Sequence, residues 1–322
     1  MKTLLVALAV ALSSLAAAHA QTYPSRPLTL IVPYPAGGPS DTLARVLVEQ
    51  LKTTLGQPVI IENVTGAGGS IGVGRVARSA PDGYTLALGH VQTHVINGAT
   101  LPLNYDVVAD FEPVTLIADT PQWIAARAGF PANSLKEMVD WMKANPGKAT
   151  AGTVGVGGPT DIAAIYFQKH TGTAFQFVPY RGGAPLIQDL IAGQIDLTFG
   201  QAANYLNPVR AGQLKAFAVL SSKRWWASPD TPTVEEAGGP DLHSSFWHGL
   251  WAPKGTPKEV IARLNAAMSQ ALDDPGLKKR FTDIGQDIWP KEQQNPAALA
   301  AQQKAQIEKW WPIIKAAGIK TQ

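Results

Sequence analysis

Short apolar, β-branched runs alternate along this chain with stretches in which apolar residues recur every three or four positions. Residues 28–33 predict a strand. Residues 41–55 predict a helix with Leu43, Val46, Leu47, Leu51 and Leu55 on one face and Gly56 as its stop. A strand at 59–62, a helix at 71–78 closed by Pro81-Asp82-Gly83, and a strand at 85–88 complete a βαβαβ unit. A second series follows, with strands at 123–126, 149–152, 175–178, 197–199 and 214–220. Its helices fall at 135–144, capped by Ser134, at 160–170 and at 184–192. Residues 245–252 return the chain to the first unit, and helices at 257–272 and 296–309 end it. The pattern predicts an α/β protein of two lobes, each a mainly parallel sheet flanked by helices, joined by two crossover segments. Lobe 1 takes residues 21–122 and 248–322, and lobe 2 takes 123–247. No short-period repeat is present, yet the halves share one plan.

Ligands of open α/β sheets bind at the carboxyl ends of the strands, so the cleft between the lobes is the expected site. Three glycine turns stand there. Gly37-Gly38 lies between the first strand and the helix that Asp41 caps. Gly157-Gly158-Pro159-Thr160-Asp161 introduces a helix whose first turn accommodates Pro159. Gly183-Ala184 follows Arg181-Gly182. Each aims backbone N–H groups and a helix dipole at one point, which holds an anion without a charged side chain. Thr160 adds a hydroxyl. Gln92 and Thr93, on a loop after the third strand, can hydrogen-bond a ligand, and Trp247 on the return crossover is placed near the cleft. Arg181 and Asp196 each line the cleft or fix the loop that does.

The first twenty residues read as a cleavable export signal: Lys2, an apolar stretch over 4–15, and Ala18-His19-Ala20 before Gln21. The chain has 322 residues, 45% hydrophobic composition and no Cys. Disulfides, thiolate metal sites and cysteine nucleophiles are thereby excluded, and a sizeable core is required. A net charge of +3, with no long Lys/Arg run, argues against a nucleic-acid partner.

Other motifs are weaker. Neither glycine cluster has dinucleotide-binding spacing, and no G-K-S/T loop exists. Gly68-Gly69-Ser70-Ile71-Gly72 matches the hydrolase elbow, so a secreted serine hydrolase with Asp196 and His248 is the alternative from another class. Residues 63–67 separate Ser70 from its strand, which favours close packing of the glycine loop instead. His90 and His94 have a metal-ligand spacing without a nearby carboxylate. Trp225-Trp226 and Trp310-Trp311 read as packing or partner contact. No metal or cofactor is expected.

Several blocks in order resemble the exported solute-binding receptors of tripartite tricarboxylate transporters, the Bug receptors. They are Ile31-Val32-Pro33-Tyr34-Pro35-Ala36-Gly37-Gly38, Gly66-Ala67-Gly68-Gly69-Ser70, Pro81-Asp82-Gly83-Tyr84, Asp110-Phe111-Glu112-Pro113, Pro179-Tyr180-Arg181-Gly182-Gly183-Ala184, and Pro253-Lys254-Gly255-Thr256-Pro257. The resemblance covers nearly all of the chain after the signal. It implies a periplasmic binding fold of type II-like plan that closes on a small carboxylate, with a membrane transporter as partner; a sensor kinase is a second possible partner, and the chain is expected to be a monomer. It also implies that main-chain amides of the Ala36-Gly37-Gly38 turn and the second-lobe glycine turn hold one carboxylate between them; Tyr34, next to the first turn, is a further candidate ligand contact. One departure stands out: the family commonly has Ser-His where this chain has Thr160-Asp161, and often Thr or Ser at Gly158. A carboxylate at Asp161 predicts a ligand with an amine, amide or neutral distal end, unless Asp161 only caps its helix.

Overall fold

The computed structural model describes residues 23–155 and 157–319. The expected export signal lies outside the described residues. Among them, no helix is long and apolar enough to cross a membrane.

The first βαβαβ unit forms as the periodicity predicts. β1 (Leu28–Val32), β2 (Val59–Asn63) and β3 (Thr85–His90) are parallel, with β1 between the other two. α1 (Pro39–Leu55) buries all five predicted face residues and ends at Gly56, whose φ of 73° only glycine adopts without strain. α2 (Ser70–Ala77) follows a tight glycine loop. Gly69 is required there, because a Cβ on it would lie 2.7 Å from Thr93 Cγ2. The segment read as a loop after β3 is helical: a π turn over Gln92–Ile96 runs into an α turn over Asn97–Thr100.

β4 (Phe111–Asp119) then leads to the second lobe. There β5 (Gln122–Arg127), α3 (Leu135–Ala144), β6 (Thr150–Val154), α4 (Pro159–Thr171), β7 (Gln176–Tyr180) and α5 (Gly183–Ala192) follow in turn. β8 (Leu197–Gln201), α6 (Ala202–Arg210) and β9 (Leu214–Val219) complete it. β10 (His248–Pro253) returns to the first sheet. α7 (Lys258–Asp273), α8 (Pro275–Asp283), the short β11 (Asp287–Ile288) and α9 (Pro296–Ala316) follow.

The two sheets have one plan. Their orders are β11-β4-β10-β3-β1-β2 and β7-β6-β8-β5-β9. Thus β1, β2 and β3 correspond to β6, β7 and β8, and the strand arriving from the other lobe (β10 or β5) inserts antiparallel beside them. Both sheets are therefore mixed, not mainly parallel: the crossovers impose antiparallel pairing on the half of each sheet beside the hinge. Gln122 already pairs with Gln201 and belongs to the second sheet.

The crossovers lie side by side. Pro121 bridges Ser245, the Phe246 N–H donates to Thr120 O at 2.8 Å, and the Gln122 N–H donates to Ser244 O at 3.0 Å. Further ties cross between the lobes. The Trp226 indole donates to Asp287, and Lys309 on α9 donates to the His243 carbonyl at 3.0 Å. Of the tryptophan pairs, Trp225 and Trp310 are buried and Trp311 donates to Val95 O at 2.9 Å.

Candidate functional site

Each lobe carries nearly the same five-residue turn, between the carboxyl end of a parallel strand and the next helix. Gly37-Gly38-Pro39-Ser40-Asp41 opens α1 and Gly157-Gly158-Pro159-Thr160-Asp161 opens α4. In both, the first glycine has positive φ (79° and 70°), the second is extended, and the proline occupies the first helical position. In both, the aspartate turns back on its own loop: Gly37 N–H donates to Asp41 Oδ2 at 2.8 Å, and Gly157 N–H to Asp161 Oδ2 at 2.9 Å. This corrects the expectation that Gly37 and Gly157 offer their N–H groups to a ligand. Gly38 N–H is taken by Pro35 O, and Gly158 N–H points to Gly155 O at 3.4 Å. The donors left over are the second and third N–H groups of each helix, on Ser40, Asp41, Thr160 and Asp161, which have no intrahelical acceptor.

The two aspartates are held differently. Burial would raise the Asp41 carboxyl, but hydrogen bonds from Arg45, Gly37 and Asn63 outweigh it and hold the pKa below the usual range. Among the described residues Asp161 has no cationic partner. Burial raises its pKa, opposed only by the Gly157 N–H and the Thr153 hydroxyl. Both carboxylates lock loops. Thr160 Oγ1 likewise accepts the Val154 N–H at 2.8 Å. The lobes meet at this level, because Gln92 Oε1 of lobe 1 lies 3.2 Å from the position of a Cβ on Gly158 of lobe 2. Gln92 is steadied by its amide donating to Asn97 at 2.7 Å.

Other predicted residues divide. Ala36 is exposed beside the first turn. Gly183 and Ala184 open α5 at the carboxyl end of β7, on the cleft side, with the Asn204 amide 3.9 Å from a Cβ position on Gly183. Arg181 is exposed. Three assignments are corrected. Thr93 is fully buried and spends its hydroxyl on His90 backbone and His94 Nδ1, because the segment is a helix and not an open loop. Asp196 stands before the start of β8, at the sheet edge away from the cleft, where it binds Arg127 at 2.8 Å and Thr150 at 2.9 Å. Trp247 is fully buried against Trp251, and its neighbour Phe246 supplies the ring that meets His90.

Sequence reasoning placed Tyr34 at the site but did not select what it packs on, His90 with His248 and Ser40. Tyr34 stacks on His90 at 4.7 Å and 10°, and His90 meets His248 edge-on at 5.3 Å. His248 Nε2 lies 3.0 Å from Ser40 Oγ. Burial pushes both rings toward the neutral form; His248 falls to about 4, and His90 falls well below its ordinary value with His248 and His94 adding to the effect. His90 and His248 are register partners at the cleft ends of β3 and β10. Their counterparts in lobe 2 are Gln201 and Gln122, paired at the ends of β8 and β5. The one available signal was a polar residue closing a strand in each lobe.

The family model described as "Tripartite tricarboxylate transporter family receptor" matches residues 43–319. The chain belongs to that family. Protein BugT of Bordetella pertussis is 34% identical over 94% of this chain and 92% of its own. The solved structure of MatC from Rhodopseudomonas palustris, with bound malate, is 37% identical, with a TM-score of 0.82 over 91% of this chain and all of that one. A second R. palustris structure, with adipate, is 30% identical, with a TM-score of 0.83 over 93% and 100%.

Membership in this receptor family makes the chain a solute receptor and not an enzyme. The hydrolase alternative has no assembled triad either. His248 is engaged by Ser40, Asp196 by Arg127 and Thr150, and Ser70 begins α2 in the packed glycine loop. Nor do His90 and His94 converge on a metal: His90 Nδ1 accepts the Gln92 N–H, and His94 stacks on Trp251 at 3.8 Å.

Proposed function

We propose that this protein is an exported, monomeric periplasmic receptor that captures a small carboxylate between its lobes and hands it to a tripartite transporter. The observation that carries the reading is the repeated glycine-proline turn. Two helices, one from each lobe, direct unspent N–H groups into one cleft, and both nearby aspartates are turned away into their loops. A carboxylate there gains charge-assisted hydrogen bonds and two favourable dipoles without an ion-pair partner. Because the donors come from both lobes, the ligand stabilises the closed arrangement, and its differential affinity for that state drives closure. The malate and adipate bound by the two neighbours fit this class.

Native mass spectrometry of protein purified without dialysis tests the assignment. A co-purified organic acid released on unfolding is expected. A co-purified base, or a protein that binds no acid from a broad titration panel, overturns it.

A further inference from the structure

The turn that opens α1 carries an acid at the place where the receptor reading puts an anion. Asp41 supplies one of the unspent N–H groups of the first helical turn, and its own carboxylate is fully buried beside them. A helix N-terminus acts as about half a positive charge, so one bare carboxylate there outweighs it and reverses the sign. Yet this carboxylate closes the loop. Its Oδ2 accepts the Gly37 N–H at 2.8 Å, and its Oδ1 accepts the Asn63 amide at 2.9 Å, which also donates to Tyr34 O at 3.0 Å. Arg45, one helical turn further on, answers the charge. Its Nε donates to Oδ2 at 2.8 Å and its Nη2 to Oδ1 at 3.2 Å, so a single guanidinium spans both oxygens.

The second lobe supplies the contrast. Its turn has the same lock, but the residue four positions after Asp161 is Ile165. Tyr180 stands in the second sheet where Asn63 stands in the first, and gives its hydroxyl to Asp189 at 2.7 Å. The lobes therefore share a turn but not a charge. The Asp41–Arg45 pair is neutral and leaves the α1 dipole to act, whereas Asp161, when ionised, offsets the dipole of α4. Other ionisable groups around the first turn do not replace Arg45. Glu49 and Arg280 share a surface groove with it, but its own ion pair is with Asp41. Glu62, next to Asn63, is paired with Arg75 at 2.6 Å. Burial drives His90 and His248, which meet Tyr34 and Ser40, toward the neutral form.

Resting on the receptor reading above, we propose that Arg45 is a positioning residue that sets the charge of the carboxylate site: without touching the ligand, it neutralises Asp41 and makes the first-lobe turn attractive to an anion. Calorimetry on the full mature protein at pH 7.5 tests this with a cycle of charge variants. The probe is the tightest binder in a panel of mono- and dicarboxylates that includes malate and adipate. Arg45→Gln keeps a donor for Asp41 and removes the cation, so it should weaken the probe about tenfold to a hundredfold. Arg45→Lys keeps the cation and should bind at least about fivefold more tightly than Arg45→Gln. Adding Asp41→Asn to Arg45→Gln removes the uncovered charge, while the amide oxygen still accepts the Gly37 N–H. That double variant should likewise regain at least about fivefold. A purely structural lock predicts the reverse, a double variant no tighter than Arg45→Gln. That result, or equal affinity of parent and Arg45→Gln, overturns the proposal and leaves the receptor reading intact. Should Arg45→Gln not fold, the double variant is measured against the parent: a loss within about tenfold supports the charge role, and a larger one overturns it. A parent that binds no acid in the panel removes the receptor reading and this role together.

Discussion

Asp119 shows how a single carboxyl near the hinge couples stability to pH. It ends β4, faces Asp287 across the β4–β11 register, and leaves Oδ1 out of solvent without a partner. Burial raises its pKa to about 6, against hydrogen bonds from Ser245 and Thr120 and with a further push from Asp287. For an acid whose folded pKa lies above the unfolded value, stability is highest while both states are protonated. It falls as pH rises from the unfolded value of 3.8 to about 6, and stays reduced above that. Asp119→Asn removes this penalty. The variant should therefore gain about 1–2 kcal/mol relative to the parent on going from pH 4.5 to 7.5, the full shift being discounted because part of the residue is open to water. Urea unfolding of both proteins at the two pH values checks this; a difference independent of pH counts against a raised Asp119 pKa in the folded state. The buried histidines act in the opposite sense, since His94 (about 3) and His248 (about 4) lose stability as pH falls below 6.5, but they do so equally in parent and variant.

At the scale of elements, the glycines of the second-lobe turn separate backbone strain from interlobe fit. Gly155 has φ +72° with nothing within 4 Å of a Cβ, so Gly155→Ala should cost about 1 kcal/mol of stability and leave ligand affinity unchanged. A Cβ on Gly158 would lie 2.5 Å from Val154 O and 3.2 Å from Gln92 Oε1 of the other lobe. Gly158→Ala should therefore displace the turn and hold the lobes apart, weakening a bound carboxylate at least tenfold, about 1.4 kcal/mol or more. Calorimetry beside thermal unfolding distinguishes the two variants, and equal affinities would mean that the turn does not meet Gln92 in the bound state. The sequence made the turns themselves readable because Gly-Gly-Pro is local chemistry. Its periodicity likewise made α1 and the parallel strands readable. β4 was not, since Glu112 and Pro113 interrupt its apolar run before a continuous buried stretch. α6 carries Pro208 inside it, and α8 buries only Leu277 and Phe281. The group of His90, His248 and Ser40 was hidden for a different reason: Ser40 and His248 stand 208 positions apart, and no local pattern announces that β10 will deliver a histidine to β3.

At the scale of the whole molecule, the lobes are joined by more than the ligand. The crossovers run side by side, α9 reaches the His243 carbonyl through Lys309, and the Trp226 indole donates to Asp287. Where these ties form only in the arrangement that brings Gln92 to Gly158, they supply a share of the closure energy before the ligand arrives. A receptor whose competent state is only fractionally populated binds with its intrinsic constant divided by that fraction. Trp226→Phe removes one interlobe hydrogen bond at the edge of the hinge and keeps most of the ring's packing. If the bond exists only in the closed arrangement, its loss of about 1 kcal/mol should lower the closed population and raise the apparent Kd up to about fivefold. The ligand-saturated radius of gyration from small-angle scattering should match that of the parent, because saturation restores closure by mass action, while the ligand-free variant should be the more expanded of the two proteins. An unchanged Kd with unchanged scattering would instead place the Trp226–Asp287 bond in both states, making it part of the hinge's fixed frame and leaving the cleft donors to drive closure alone.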